Sequence, residues 1–376
     1  MLKILHLNSY YVDTHLYSKI YKKLSDTCFQ TVYIPLKQNR KEENKMVIQN
    51  TELIYSKIIE KYHSIFYFAK IAKLFKDVVN KKIYEGSNVI HAHNLFIDGA
   101  VAYKLKKKYG MRYVVSIRMT DISLQYKFML HRRFFAKRIL KEADSIIFIS
   151  PHYKNMLWSM VGRSLVDELE EKTYVIPNGI DDFWLENSIP KTPYHNKTFN
   201  LLFIGQIIKR KNLHKVLDCL SELNKSDIKY NLTIVGGEHA NEKEYFNEIK
   251  NRIDLIPYVQ YKGAIQDHFL LQNEIGRNHA LIMPSVRELF GLVFIEALSQ
   301  NTPVVYPIDE GISPYLKDLD AGVPVDPTKV LSISDGIERM KSQYNKFNFL
   351  SEKIKQFDWS IITNQYNILY KNNNNE

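Results

Sequence analysis

Two carboxylates eight residues apart, Glu288 and Glu296, bracket a Phe290-Gly291-Leu292 turn. A strand pattern over residues 280–283 leads in, an apolar helix pattern follows the turn, and a strand pattern over 303–306 leads out. Glycine at 291 permits backbone dihedrals and close approaches that a side chain forbids. A helix starting beside it directs unpaired N–H groups and a positive dipole end outward, which suits a phosphate. The carboxylates cannot ligate phosphate, because like charges repel. They suit hydroxyl groups, and a ribose or hexose supplies vicinal pairs of those. The plain alternative is a pair of solvated helix-end charges; the flanking strands, the glycine and the small Ala297 weigh against it.

Cations accompany this segment. Gly205 ends a strand pattern over 201–204, and Lys209, Arg210 and Lys211 follow on the next loop, where they would neutralise a diphosphate and stabilise it as a leaving group. A solvated basic turn is the competing reading. In the first half of the chain, Arg118 and Asp121 follow a strand pattern over 113–117. Arginine stays cationic at any working pH, so Arg118 suits charge stabilisation rather than base catalysis. Asp121 suits a hydroxyl contact. His91 and His93 alternate in strand fashion, so both rings can face one way. A metal site would need a third ligand, and none stands at a suitable spacing. No metal is expected, and His93 reads as a structural or sugar-contacting side chain. Glu288 and Glu296 come from one segment, which favours ligand binding over the facing carboxyl pair of a glycosidase.

The elements that must position these groups alternate along the whole chain. Strand patterns occur at 2–7, 30–36, 89–92, 113–117, 145–149 and 173–176, then at 201–204, 232–235, 259–262, 280–283, 303–306 and 322–325, with helical patterns between them. This is an α/β chain of two doubly wound parallel sheets. The expected domains are 1–185, an acceptor-binding half joined by a closing helix within 358–376, and 199–357, a donor-binding half. Residues 186–198, with Pro190 and Pro193, read as a linker. Residues 37–50 read as an exposed loop, and Asn372–Asn375 as a frayed low-complexity tail.

Several stretches together, in order, resemble the GT-B glycosyltransferases, most closely the retaining group numbered family 4. Glu288 to Glu296 is similar to that family's Glu-x7-Glu motif. Asn200 to Asn212 resembles its first donor-domain strand and phosphate loop, Leu232 to Gly237 its second donor strand, and Ile176 to Asp181 its interdomain turn. Val89 to Gly99 and Val114 to Asp121 resemble its acceptor-domain strands, and Phe357 to Tyr370 its closing helix. The resemblance implies two facing Rossmann-like domains with a cleft between them, and sugar transfer with retention from a nucleotide-diphosphate sugar, without a metal or other cofactor. Glu296 would hold the ribose, Glu288 the sugar, and the Phe290, Gly291 and Leu292 backbone the sugar or diphosphate. Gly205, Gln206, Lys209, Arg210 and Lys211 would line the diphosphate site. Two positions depart from the family. Gln206 stands where it usually has an arginine, and Arg118 where it often has a histidine. Glu288, Arg118 and Asp121 are the candidate catalytic residues, and His93 a candidate acceptor or sugar contact.

Composition fits this reading. A chain of 376 residues is long for one domain. The only cysteines, Cys28 and Cys219, exclude a disulfide scaffold and a cysteine zinc site. The apolar N-terminal run is too short for a signal peptide and reads as a strand, so a cytoplasmic location is expected. Residues 1–190 hold 30 Lys+Arg against 19 Asp+Glu, whereas residues 191–376 hold 22 of each. The whole excess of +11 therefore lies in the first half. An anionic partner follows, with a membrane surface and a saccharide or lipid-linked acceptor the expected one, through residues 68–82 and 131–138. Nucleic acid is not expected, since no recognised nucleic-acid motif is present. The rival functions are a nucleotide-sugar epimerase or other GT-B enzyme, and a non-catalytic binding module. A nicotinamide dehydrogenase fails, because Val235-Gly236-Gly237-Glu238 lacks the required phosphate turn.

Overall fold

The structure, a computed structural model, describes residues 1–371 apart from 192, 195, 196, 321 and 348–350. The tail Asn372–Asn375 lies outside the described residues. Two compact units divide the chain, Met1–Asn178 with Trp359–Glu376, and Gly179–Asp358.

The first unit holds β1 (Leu2–Leu7), β2 (Cys28–Lys37), β3 (Thr51–Ile59), β4 (Val89–Ala92), β5 (Tyr113–Ile117), β6 (Ser145–Phe148) and β7 (Thr173–Val175). They form one parallel sheet in the order β3-β2-β1-β4-β5-β6-β7. The central strands β4, β5 and β6 are buried along their whole length, as strands covered on both faces must be. Strand β3 goes unread in the sequence. It is an edge strand paired only with β2, and Glu52, Ser56 and Lys57 break its apolar pattern. The helix Trp359–Lys371 packs on this unit: Trp359, Ile362, Tyr366, Leu369 and Tyr370 share one core with Ile20, Leu24 and Ile34. Asn367 ties it down, donating to Thr27 Oγ1 at 2.9 Å and accepting from Cys28 Sγ at 3.3 Å.

The second unit holds β8 (Phe199–Ile204), β9 (Tyr230–Val235), β10 (Val259–Tyr261), β11 (Ala280–Ile282), β12 (Val304–Pro307) and β13 (Gly322–Val325), again all parallel, in the order β10-β9-β8-β11-β12-β13. The segment expected to be a linker is docked here. The Ile189 N–H donates to Gln300 Oε1 at 3.2 Å, Asn301 Nδ2 donates to the Ile189 carbonyl at 2.7 Å, and Lys191 Nζ donates to the Tyr344 and Phe347 carbonyls. The unit begins earlier than expected, at Gly179, because the Ile180 N–H donates to the Phe357 carbonyl at 2.9 Å.

In each sheet the first strand sits beside the fourth of its order: β1 beside β4 in one, β8 beside β11 in the other. Successive crossovers leave to opposite faces there, and the loops at the carboxyl ends part to leave a crevice. The candidate residues follow these strands.

Candidate active site

In the second unit the switch point joins two loops. Gly236, just past β9, lets the backbones close up: a Cβ there would lie 1.8 Å from the Gly205 carbonyl oxygen. Beyond β8 comes a single helical turn, Lys209–Lys211. Asn212 follows at φ 57°, and its amide donates to the Pro284 and Pro327 carbonyls at 2.8 and 2.9 Å. This fixes Lys211 against the loop after β11. Lys211 Nζ donates to Glu288 Oε2 at 2.5 Å, and Met283 Sδ lies 3.3 Å from the same nitrogen. Arg210 Nη1 stands 3.6 Å from the same carboxylate oxygen, and the Arg210 carbonyl accepts from the Val286 N–H at 2.8 Å. Lys211 and Glu288 are both buried.

Charge balance follows from these neighbours. Burial lowers the Lys211 pKa, opposed by Glu288. Glu310, after β12, accepts from the Arg287 N–H at 2.6 Å, yet burial pushes its carboxyl up to about 7. With Glu310 protonated, Arg210, Lys211 and Glu288 leave one net positive charge, so the group attracts an anion.

Gly291 lies behind Glu288. Its φ is 79°, and a Cβ would meet Phe294 Cδ2 at 2.7 Å and Glu288 Cγ at 3.2 Å. The helix Leu292–Ser299 begins there, buries Phe294, Ile295, Ala297 and Leu298, and leaves Glu296 half-buried. Phe290 points inward, its ring 5.7 Å from that of Tyr315 and 6.3 Å from that of Phe357, so only its backbone is available to a ligand.

In the first unit, the β1–β4 register sets His6 opposite His91. His6 Nδ1 lies 3.0 Å from His93 Nε2, and Tyr21 Oη lies 3.1 Å from that same nitrogen. His91 bonds Tyr370 Oη through Nδ1 at 2.7 Å and Ser116 Oγ through Nε2 at 2.8 Å. All three rings are buried, which drives His6 down to about 3 and His91 and His93 well below the usual histidine range. One ring nitrogen from each lies within 4.8 Å of the others, a spacing open to a metal ion. Both His91 nitrogens are already engaged, however, so the trio reads as a neutral hydrogen-bonded core.

Arg118 sits just past β5. Its Nε donates to the His93 carbonyl at 3.1 Å, and its Cζ lies 5.4 Å over the Tyr17 ring. Among the described residues Arg118 Nη2 has no hydrogen-bond partner. Asp121 is fully buried and accepts from the Arg118 and Leu95 N–H groups at 2.9 and 3.1 Å. Burial raises its carboxyl to about 6 against those two donors. Asp98, also buried, accepts from the Ser9 N–H and from Asn94, and burial holds its pKa well above the usual range.

Residues 186–357 match the family Glycosyl transferases group 1, and residues 30–182 match Glycosyltransferase Family 4. The chain belongs to the group 1 glycosyltransferases of GT-B fold. It is 23% identical to an uncharacterised glycosyltransferase of Methanocaldococcus jannaschii, over 95% of this chain and 93% of that one. A sucrose-phosphate synthase of Thermosynechococcus elongatus shares the fold, with TM-score 0.75 at 18% identity over 98% of each chain. So does an Anabaena protein solved with UDP and glucose, with TM-score 0.67 at 17% identity over 98% of each chain.

The residues expected to serve this glycosyltransferase fall into distinct groups. Gly205, Arg210, Lys211, Glu288 and Gly291 converge. Gln206 is exposed beside them. Lys209 departs from the group: it lines a groove of about 870 Å3 with His214, Glu242, Tyr245 and Glu248, and its N–H donates to Glu242. Those carboxylates disfavour a phosphate. Asp121, expected to contact a hydroxyl, is fully buried; its Oδ2 accepts from two backbone N–H groups and holds the loop that carries Arg118, while its Oδ1 has no hydrogen-bond partner among the described residues. His93, expected at a sugar, is sealed among His6, Tyr17 and Tyr21. The missing third histidine is His6; strand register brings it in, and no sequence spacing signals that. Nor does spacing signal the raised carboxyls of Glu310 and Asp98, since burial sets their character.

Proposed function

We propose that this glycosyltransferase moves a sugar, with retained anomeric configuration, from a nucleoside diphosphate sugar to a hydroxyl of a saccharide or lipid-linked acceptor in cell-surface polysaccharide synthesis. The observation that carries this reading is the buried Lys211–Glu288 pair, with the half-exposed Arg210 beside it, at the glycine-lined end of β8. The two cations meet the diphosphate, and the N-terminal N–H groups of Leu292–Ser299 add to their field. Glu296 takes the ribose hydroxyls. Glu288, released from part of its pairing by the diphosphate, takes sugar hydroxyls.

In the transfer the bond from the anomeric carbon to the diphosphate oxygen breaks, and a bond from that carbon to the acceptor oxygen forms on the same face. The acceptor proton passes to the departing phosphate. The protein's part is to stabilise charge on the leaving group before it departs, which is electrostatic preorganisation. Arg210 and Lys211 fill the role a divalent cation plays elsewhere, so a chelator should leave the rate unchanged.

The test is proton NMR of the product formed from a panel of nucleoside diphosphate sugars and saccharide acceptors. Retention of the donor's anomeric configuration supports the reading. An inverted product, or conversion of the donor without any acceptor, overturns it. The Anabaena protein's complex with UDP and glucose makes a uridine donor the first to try.

A further inference from the structure

Unit one's core is complete without a set of large apolar side chains that it leaves in solvent. The helix Tyr67–Asn80 buries Tyr67, Ile71, Leu74 and Val78, and the helix Leu130–Glu142 buries Ala136, Ile139 and Leu140. Ile65, Phe66, Phe68, Phe128, Leu130 and Phe134 are each more than half exposed. They come from two segments that form one patch. Arg132 Cζ stacks 4.3 Å over the Tyr67 ring, and the Phe68 and Phe135 rings lie 5.8 Å apart.

The patch is also strongly basic. Residues 61–76 hold four lysines and residues 122–141 hold six lysines and arginines, with no Asp or Glu in either stretch. Cations stand directly over the exposed rings: Arg138 Cζ lies 4.4 Å from the Phe134 centroid and Lys127 Nζ 5.5 Å from that of Phe128. Both of these rings belong to the second segment, and Arg132 of that segment reaches across to the first by stacking on Tyr67. A water-exposed apolar cluster of this size marks an interaction surface rather than a folding requirement.

We infer that this face docks on an anionic lipid bilayer, its apolar side chains entering the headgroup boundary and its lysines and arginines meeting lipid phosphates. Cations with aliphatic and aromatic side chains on one face are what an interfacial surface needs. Among the described residues no helix is long and apolar enough to cross a membrane, so the contact is peripheral. Nucleic acid would use the cations but gains nothing from Ile65 or Leu130, so the aliphatic members of the patch favour lipid. The inference deepens the lipid-linked alternative of the proposed acceptor.

Vesicle sedimentation tests it. The full chain is spun with vesicles of phosphatidylcholine alone and with vesicles containing phosphatidylglycerol. Sedimentation with the anionic vesicles only, weakened by salt and reduced at least ten-fold in the Ile65→Asp/Phe66→Asp/Leu130→Asp variant, is the expected result. The variant's helical circular dichroism and nucleoside diphosphate affinity should match the parent, since all three side chains are exposed. A parent that stays in solution with anionic vesicles overturns the inference. So does a variant that sediments as the parent does, or a parent and variant that bind a DNA duplex equally while neither binds vesicles. Donor affinity is read separately, so failure here leaves the sugar-transfer reading standing, and failure there leaves this one standing.

Discussion

Lys211 and Glu288 lie 77 positions apart in sequence, and their charged atoms meet at 2.5 Å in a buried pocket. Taking two charges out of water is costly, and removing one of them leaves the other buried and uncompensated. The pairing therefore ties the proposed donor site to the stability of the second unit.

Lys211→Met should destabilise the protein, by less than the about 3–5 kcal/mol usual for stranding a buried charge, because Arg210 stays 3.6 Å from Glu288. Adding Glu288→Gln should recover much of that loss. Denaturant melts of both single variants and the double variant measure the coupling. Additive effects would show that the pair contributes no more than its separate parts.

Glu310 makes donor affinity depend on pH. Its carboxyl is raised to about 7, so the folded state favours the protonated form. That preference is fully present below the ordinary glutamate value and is lost as pH rises through about 7. Above that pH a new negative charge stands beside Arg210 and Glu288 and opposes a diphosphate. Nucleoside diphosphate affinity should fall several-fold from pH 6 to 8 in the parent, and Glu310→Gln should remove the dependence. A titration series across that range decides it.

Asp121 should show its burial in stability rather than in donor affinity. Its carboxyl is raised to about 6, so its neutral form is favoured, and the stabilisation it gives is lost as pH climbs from the unfolded value through about 6. Asp121→Asn lacks that loss. The variant should gain on the parent by up to about 3 kcal/mol between pH 4 and 7. Paired thermal melts at those pH values read the difference, and a constant gap would contradict it.

Gly236→Ala should disturb the donor site from behind. Its Cβ would fall 1.8 Å from the Gly205 carbonyl oxygen, so β8 and β9 must part at their ends. The expected result is lost stability together with weakened diphosphate binding, checked by calorimetry and a melt. Unimpaired binding would show that the Gly205 loop does not depend on that contact.

Much of this was legible in the sequence because parallel strands covered by helices are short apolar runs, and twelve of them stand out between helical patterns. Strand β3 was not, since an edge strand with Glu52 and Lys57 lacks that signature. The cluster after β8 and β11 was legible because its residues sit on loops directly after strands, where Gly205, Lys211, Glu288 and Gly291 have recognisable types and order. His6 was not, because only the pairing of β1 with β4 places it against His91 and His93. Asp121 and His93 were found as residues, but their full burial was not. Their sequence neighbours say that a strand has just ended, not how deep the side chain lies. Lys209 and Lys211 are two positions apart and look interchangeable, yet one turn of helix sends only the second toward Glu288.

The central claim is that the second unit grips a nucleoside diphosphate through cations on the phosphates and Glu296 on the ribose. Isothermal titration of the parent and of Glu296→Gln with a nucleoside diphosphate and with inorganic diphosphate tests it most directly. The account predicts at least ten-fold weaker nucleoside diphosphate binding in the variant and unchanged inorganic diphosphate binding. Equal affinity of parent and variant for the nucleoside diphosphate would contradict it.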